Sequence, residues 1–303
     1  MRPSWAIPAG GFMTVRIAAV LACHNRKPMT LACLDALRRQ RDADADVHPY
    51  VLDDSSSDGT PEAVKKRHPD VTLLSGDGTL FWNGGMRRAF AAALERDYDS
   101  YLWLNDDTRL DDDALAKLLG THEQLVANGE GEAIVAGSTR DPDSGVVTYG
   151  GVLRTSPWRP LRFRLISPRS QPLPCDTMNG NCVLIPRTIA RHLGNLDPGF
   201  THSLGDWDYG LRARAAGFSV WIAPGTLATC SHNPITGYFE DPPPHAPLAR
   251  VRSRREEGSM LVSPKGLPPA PWRVYARRWA GPLWPLYWLS PYVRRSVRIL
   301  ARR

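Results

Sequence analysis

The sequence predicts an α/β protein: a Rossmann-like, mostly parallel sheet flanked by helices, followed by a basic, aromatic C-terminal tail. Three observations carry that expectation. Short β-rich apolar runs alternate with amphipathic helical stretches through the first half. The residues directly after those runs are polar and acidic. The 27 prolines gather mostly beyond about position 155, where regular layers should give way to irregular chain.

Residues 1–14 contain Pro3, Pro8, Gly10 and Gly11, which interrupt the apolar run a secretory signal needs; they read as a loose leader, with Met13 as an alternative start. Residues 15–240 read as one large domain. Apolar, β-rich segments predict strands at 15–22, 47–52, 71–74, 101–104 and 133–136, and 3.6-residue periodicity predicts helices at 29–39, 61–67, 85–96 and 112–127. Short strands and proline-broken loops follow from 146 to 186. Helices are expected again at 187–193 and 206–216, and a strand at 219–222. Residues 241–303 open on a proline-rich linker and continue as a tail that reads as an appendage.

Charge narrows the function. The net charge of +7 would suit a nucleic-acid binder if it were spread over the domain. Instead residues 250–303 hold thirteen Arg or Lys against Glu256 and Glu257, so the preceding chain is slightly acidic. No nucleic-acid partner is expected. Five cysteines with no CxxC spacing argue against a zinc ribbon or redox pair and fit a reducing, cytoplasmic compartment.

In doubly wound sheets, ligands bind beyond the carboxyl ends of the strands. Those positions read Cys23-His24-Asn25-Arg26, then Asp53-Asp54-Ser55-Ser56-Ser57-Asp58-Gly59-Thr60, Gly76-Asp77-Gly78 and Asn105-Asp106-Asp107. Adjacent carboxylates on a strand end suit Mg²⁺ or Mn²⁺, which prefer oxygen ligands and leave positions open to substrate phosphates. They equally suit a turn followed by a helix cap. Gly205-Asp206-Trp207-Asp208 opens a helix, and its acids complement the helix dipole whether or not they do chemistry.

Taken in order, the segments His24-Asn25-Arg26, Asp53 to Thr60, Asn83-Gly84-Gly85, Asn105-Asp106-Asp107, Gly205-Asp206-Trp207-Asp208 with Leu211 to Phe218, and His232 resemble the family 2 glycosyltransferases. That family has a GT-A fold. The resemblance implies an inverting, metal-dependent sugar transfer from a nucleotide-diphosphate sugar to a glycan or glycolipid acceptor in cell-envelope assembly, with a dTDP-rhamnose or UDP-sugar donor. It implies that Asn25, Asp53, Asn83, Gly85 and Asp106 hold the donor, that Asp107 and His232 hold Mg²⁺ or Mn²⁺, and that Asp206 is the general base. Asn105 stands where the family's acidic motif usually begins with a carboxylate, and Gly205 where a Glu is frequent. Two other classes stay open: a nucleotidyltransferase, and a non-catalytic membrane-surface adaptor.

The tail mixes Trp and Tyr with Arg, and its longest uncharged run, about 280–293, is too short and too proline-broken to span a bilayer. It suits an anionic membrane surface at the inner face of the cell membrane. It equally suits packing on the domain or on a second subunit.

Overall fold

The computed structural model describes residues 14–231 and 263–301. Strands β1 (Val15–Cys23), β2 (Ala45–Asp53), β3 (Thr72–Ser75) and β4 (Ser100–Leu104) are linked by helices α1 (Lys27–Arg38), α2 (Thr60–Arg67) and α3 (Phe81–Leu94). They pair in parallel in the order β3-β2-β1-β4. The sheet continues through β12 (Cys182–Pro186), β6 (Ala133–Arg140), β13 (Ser219–Thr229) and the short β10 (Leu173–Pro174). β12 runs antiparallel to both neighbours, so the sheet is mixed at its centre and parallel on its flank.

Both faces are covered, which is why the strands are apolar without alternation. Ile17, Ala19, Leu21, Leu102 and Leu104 face one core, shared with α1 and α4 (Ala114–Ala127). Ala18, Val20, Tyr101 and Trp103 face the other, shared with α3, α5 (Arg187–Leu193) and α6 (Gly205–Ala215). A small sheet, β8 (Gly151–Arg154), β9 (Phe163–Leu165) and β11 (Thr177–Met178), lies under α6.

Two departures from the expected elements matter for the site. α3 begins at Phe81, four residues early, so Asn83-Gly84-Gly85 lies inside the helix rather than before it. β13 runs on past 222 through two register shifts to Thr229, which carries Cys230 toward the carboxyl ends of the central strands.

The tail departs further. α7 (Pro269–Trp279) buries Trp272, Tyr275 and Ala276, an i, i+3, i+4 face, and its Trp272 and Tyr275 join a third core with Phe200, Leu204, Trp207 and Leu211. The expected appendage is therefore, up to Ala280, a structural part of the domain. Arg278 and the Trp279 indole both donate to the fully buried Asp208 of α6, at 2.6 and 2.9 Å, and Arg212 donates to its other oxygen at 2.9 Å. Beyond Ala280, α8 (Trp284–Ala301) packs back on α7 and sets Trp288 and Tyr292 against the third core, while Leu286, Leu289, Val293, Val297 and Leu300 are exposed.

Candidate active site

The carboxyl ends of β1 and β2 finish in register, Cys23 opposite Asp53, and β4 ends beside them. The loops leaving β1 and β4, the turn 179–181 and the segment 202–207 that opens α6 line one cleft. Arg26, Asp106, Asp107, Trp82, Gly180 and Asp206 line it.

Asp106 and Asp107 share one cation. Arg26 Nη1 donates to Asp106 at 3.0 Å and to Asp107 at 2.7 Å. Asp106 is buried, and desolvation, opposed by Arg26, raises its carboxyl to about 7. Asp107 keeps 29% of its side chain exposed to the cleft, and its second oxygen accepts the Cys230 thiol at 3.4 Å. Burial, reinforced by Asp107, holds that thiol protonated. Asn105, the departure from an acidic residue, has a local reason: its side-chain oxygen accepts the Trp82 indole N–H at 2.7 Å. Trp82 lies over Gly180, where a Cβ would fall 2.7 Å from the indole.

Asp206 stands at the opposite wall, in the first turn of α6. Its two oxygens accept the backbone N–H groups of Gly180 and Trp207, both at 2.9 Å. Desolvation nevertheless raises its carboxyl to about 6. The Asn105 N–H donates to the Asn181 carbonyl at 3.2 Å, so the turn 179–181 links the Asp106-Asp107 edge to Asp206. Leu204, immediately before this helix, is held at φ +75°, a left-handed conformation that costs a non-glycine residue about 1–3 kcal/mol. Such strain is common where backbone is forced into a functional position.

The other expected site residues have partners of their own within the fold. Asp53 is buried at the β2 terminus, where it accepts the Ser56 N–H at 2.9 Å. Its neighbour Asp54 is fully committed to the N–H groups of Gly78, Leu80 and Phe81 and so shapes the loop entering α3. Asn25, at φ +51°, accepts the Ser57 N–H at 2.7 Å and joins the β1 and β2 loops. Asn83 is completely buried, donating to the carbonyls of Asp197 and Phe200, so it pins the loop before α6 rather than facing the cleft. Gly85 allows α3 to approach the sheet, since a Cβ there would meet Ala22 at 2.8 Å. Asn25, Asp53, Asn83 and Gly85 are not among the residues that line the cleft. His232 lies outside the described residues.

Trp82, in the stretch 77–88 that the sequence suggests as donor-pocket lining, does line the cleft, and Arg26 and His202 line it without an expected role. Burial lowers the His202 imidazole to about 4, so it is neutral, and its Nδ1 finds no partner among the described residues. A cation following a strand end opposite two acids was the available signal for Arg26. Nothing local in the sequence marks His202.

Among the described residues no three His, Cys, Asp or Glu side chains form a closed metal cage. Asp107 nonetheless offers an exposed carboxylate beside a second acid, which fits Mg²⁺ or Mn²⁺ bound through one or two carboxylates plus substrate phosphates.

Comparison with known proteins bears on the family and the fold. The model of Glycosyl transferase family 2 matches residues 18–194. The N-acetylglucosaminyl-diphospho-decaprenol L-rhamnosyltransferase of two Mycobacterium tuberculosis strains is 24% identical over 224 residues, 66% of this chain and 70% of the relative. The crystal structure of GalNAc-T7 with UDP, GalNAc and Mn²⁺ superposes with a TM-score of 0.56 at 12% identity, covering 76% of this chain and 46% of that one. It shows a shared fold. The mannosyltransferase PcManGT from Pyrobaculum calidifontis, in complex with GDP-Man and Mn²⁺, gives 0.48 at 18% identity, covering 78% of this chain and 62% of that one.

Proposed function

The chain belongs to glycosyl transferase family 2, and from that premise we propose that it is an inverting, metal-dependent enzyme moving a sugar from a nucleotide-diphosphate donor to the hydroxyl of a lipid-linked glycan acceptor. One observation carries the reading: two carboxylates at a strand end and a third with a raised pKa face each other across a single cleft. The named relative acts on a decaprenol-linked sugar, which supports a dTDP-rhamnose donor and a glycolipid acceptor in cell-envelope assembly.

Asp53 and Asp106 receive the nucleoside. Asp107 would hold Mg²⁺ or Mn²⁺, with His232, two residues after Cys230, as a further ligand. When bound, such an ion supplies Lewis-acid stabilisation to charge growing on the departing diphosphate. The Arg26 guanidinium, at the same edge, is a second cation suited to phosphate oxygens. Asp206 takes the proton of the attacking hydroxyl as that oxygen bonds to the anomeric carbon and the diphosphate leaves from the opposite side. A single displacement inverts the centre, and no carboxylate nucleophile is required.

Thermal-shift assays with UDP-, dTDP- and GDP-sugars, each with and without Mn²⁺, test the donor class. A true donor at 100 times its Kd should stabilise the fold by about 2.7 kcal/mol. Asp107→Ala should weaken metal-dependent binding of the nucleoside diphosphate at least about tenfold by calorimetry, the lower end of what disturbing a metal's ligand shell costs. Equal metal-dependent affinity in parent and variant would remove Asp107 from the site.

A further inference from the structure

α8 presents an apolar stripe that is largely exposed among the described residues. Leu286, Leu289, Val293, Val297 and Leu300 recur at intervals of three and four, so they share one face, and each is between 48% and 65% exposed. From Leu286 to Leu300 the face is about 21 Å long. Its opposite side is anchored: Trp288 and Tyr292 pack against the third core, and their polar atoms donate to the carbonyls of Pro269 and Leu267. Pro291 has no N–H to give the Tyr287 carbonyl, and the Ser290 hydroxyl takes that role at 3.2 Å, so the helix continues through the proline.

A second element meets the same helix from far away in sequence. The loop between β8 and β9 carries Trp158, 87% exposed, and the Tyr287 hydroxyl donates to the Trp158 carbonyl at 2.8 Å. From 146 to 175 the chain holds Arg154, Arg159, Arg162, Arg164 and Arg169 and no acidic residue. The described tail, 263–301, likewise contains Lys and Arg but neither Asp nor Glu. Among the described residues no helix is long and apolar enough to cross a membrane.

We propose that the α8 stripe and the Trp158 loop form one docking surface for an anionic lipid bilayer, with α8 lying in the interfacial plane and the Trp158 indole inserted beside it. The occupant follows from chemistry. An exposed leucine-valine face fits the acyl boundary, an exposed Trp fits the headgroup level, and two acid-free basic segments fit anionic phosphates. Orientation follows too. Trp207 lines the cleft and also packs in the third core, 5.0 Å from the Phe163 ring of β9, so a single side-chain layer separates the cleft from the elements that carry the docking surface. This deepens the reading that the acceptor is lipid-linked and rests on it for its purpose.

The test is flotation of the full chain with vesicles of phosphatidylcholine alone or mixed with phosphatidylglycerol, at low and high salt. The parent should float with the anionic vesicles at low salt and be released by high salt. Leu286→Ser with Leu289→Ser should reduce the bound fraction at least about tenfold, and Trp158→Ala should reduce it severalfold. These positions are exposed, so folding should not suffer, and unchanged melting temperatures check that. Quenching of tryptophan fluorescence by brominated lipid should diminish in Trp158→Ala. Three outcomes overturn the proposal: a parent that stays soluble at low salt, leucine variants that float like the parent, or a parent dimer in light scattering that those variants dissociate without any vesicle binding. Flotation needs neither donor nor metal. A protein that docks but transfers no sugar leaves this surface standing and removes the proposed function instead.

Discussion

An Asp206→Asn protein should fold, bind its nucleotide donor like the parent and turn over about 10²- to 10⁴-fold more slowly, the usual worth of a positioned general base. The side chain is fixed from two directions by the Gly180 and Trp207 N–H groups, so it is aimed without freedom to search. The amide can accept only one of those two bonds through its oxygen, and a loss of about 1 kcal/mol in stability is expected alongside. That loss is far too small to imitate the kinetic effect. The pH profile gives an independent check. With its carboxyl raised to about 6, Asp206 is ionised above that value and protonated below it. The parent's kcat/KM should therefore fall as pH drops through about 6, and whatever activity the Asn variant keeps should lack that limb. Near-parent turnover in the folded variant would reduce Asp206 to a helix-terminal acid.

Ending the chain at residue 241 should prevent stable folding, whereas ending it after Ala280 should leave nucleotide binding intact. The first cut removes Leu267, Trp272 and Tyr275 from a core that also holds Phe200, Leu204, Trp207 and Leu211. It also takes Arg278 and the Trp279 indole from Asp208, whose carboxylate is wholly buried and would keep only Arg212. Breaking a buried ion pair from one side costs about 3–5 kcal/mol, and each deleted large core side chain adds a comparable amount. Together these exceed the stability of many domains. The point variant Arg278→Ala isolates the charge contribution and should lower the denaturation midpoint by the equivalent of about 3 kcal/mol. A cooperative, fully folded fragment ending at 241 would refute this account of the C-terminal segment.

These cases also mark what was legible in the sequence. The parallel flank could be read because the carboxyl-terminal halves of β1 and β2 and all of β4 are buried and read as short apolar runs. Asp53, Asp106 and Asp107 stand out as candidates because each ends or closely follows such a run. Asn83 and Gly85 enter the expected site through the family resemblance. Their actual partners, the carbonyls of Asp197 and Phe200 and the Cβ of Ala22, are set by tertiary packing that no local pattern encodes. The tail misled for the same reason. Its Arg278 is paired with an acid 70 positions earlier, so a residue that reads as part of a cationic surface run is a partner for a buried charge.

Trp207, shared between the cleft and the C-terminal core, gives the proposed arrangement a kinetic meaning. An enzyme resting on a bilayer and a lipid-borne acceptor diffuse in the same two-dimensional layer, so their encounter is governed by surface density rather than by bulk concentration. Confinement of this kind raises effective concentration without any new contact. Recognition of the acceptor can then be spent on orienting one hydroxyl toward Asp206, and the cleft has no need to grip the lipid chain that brings it.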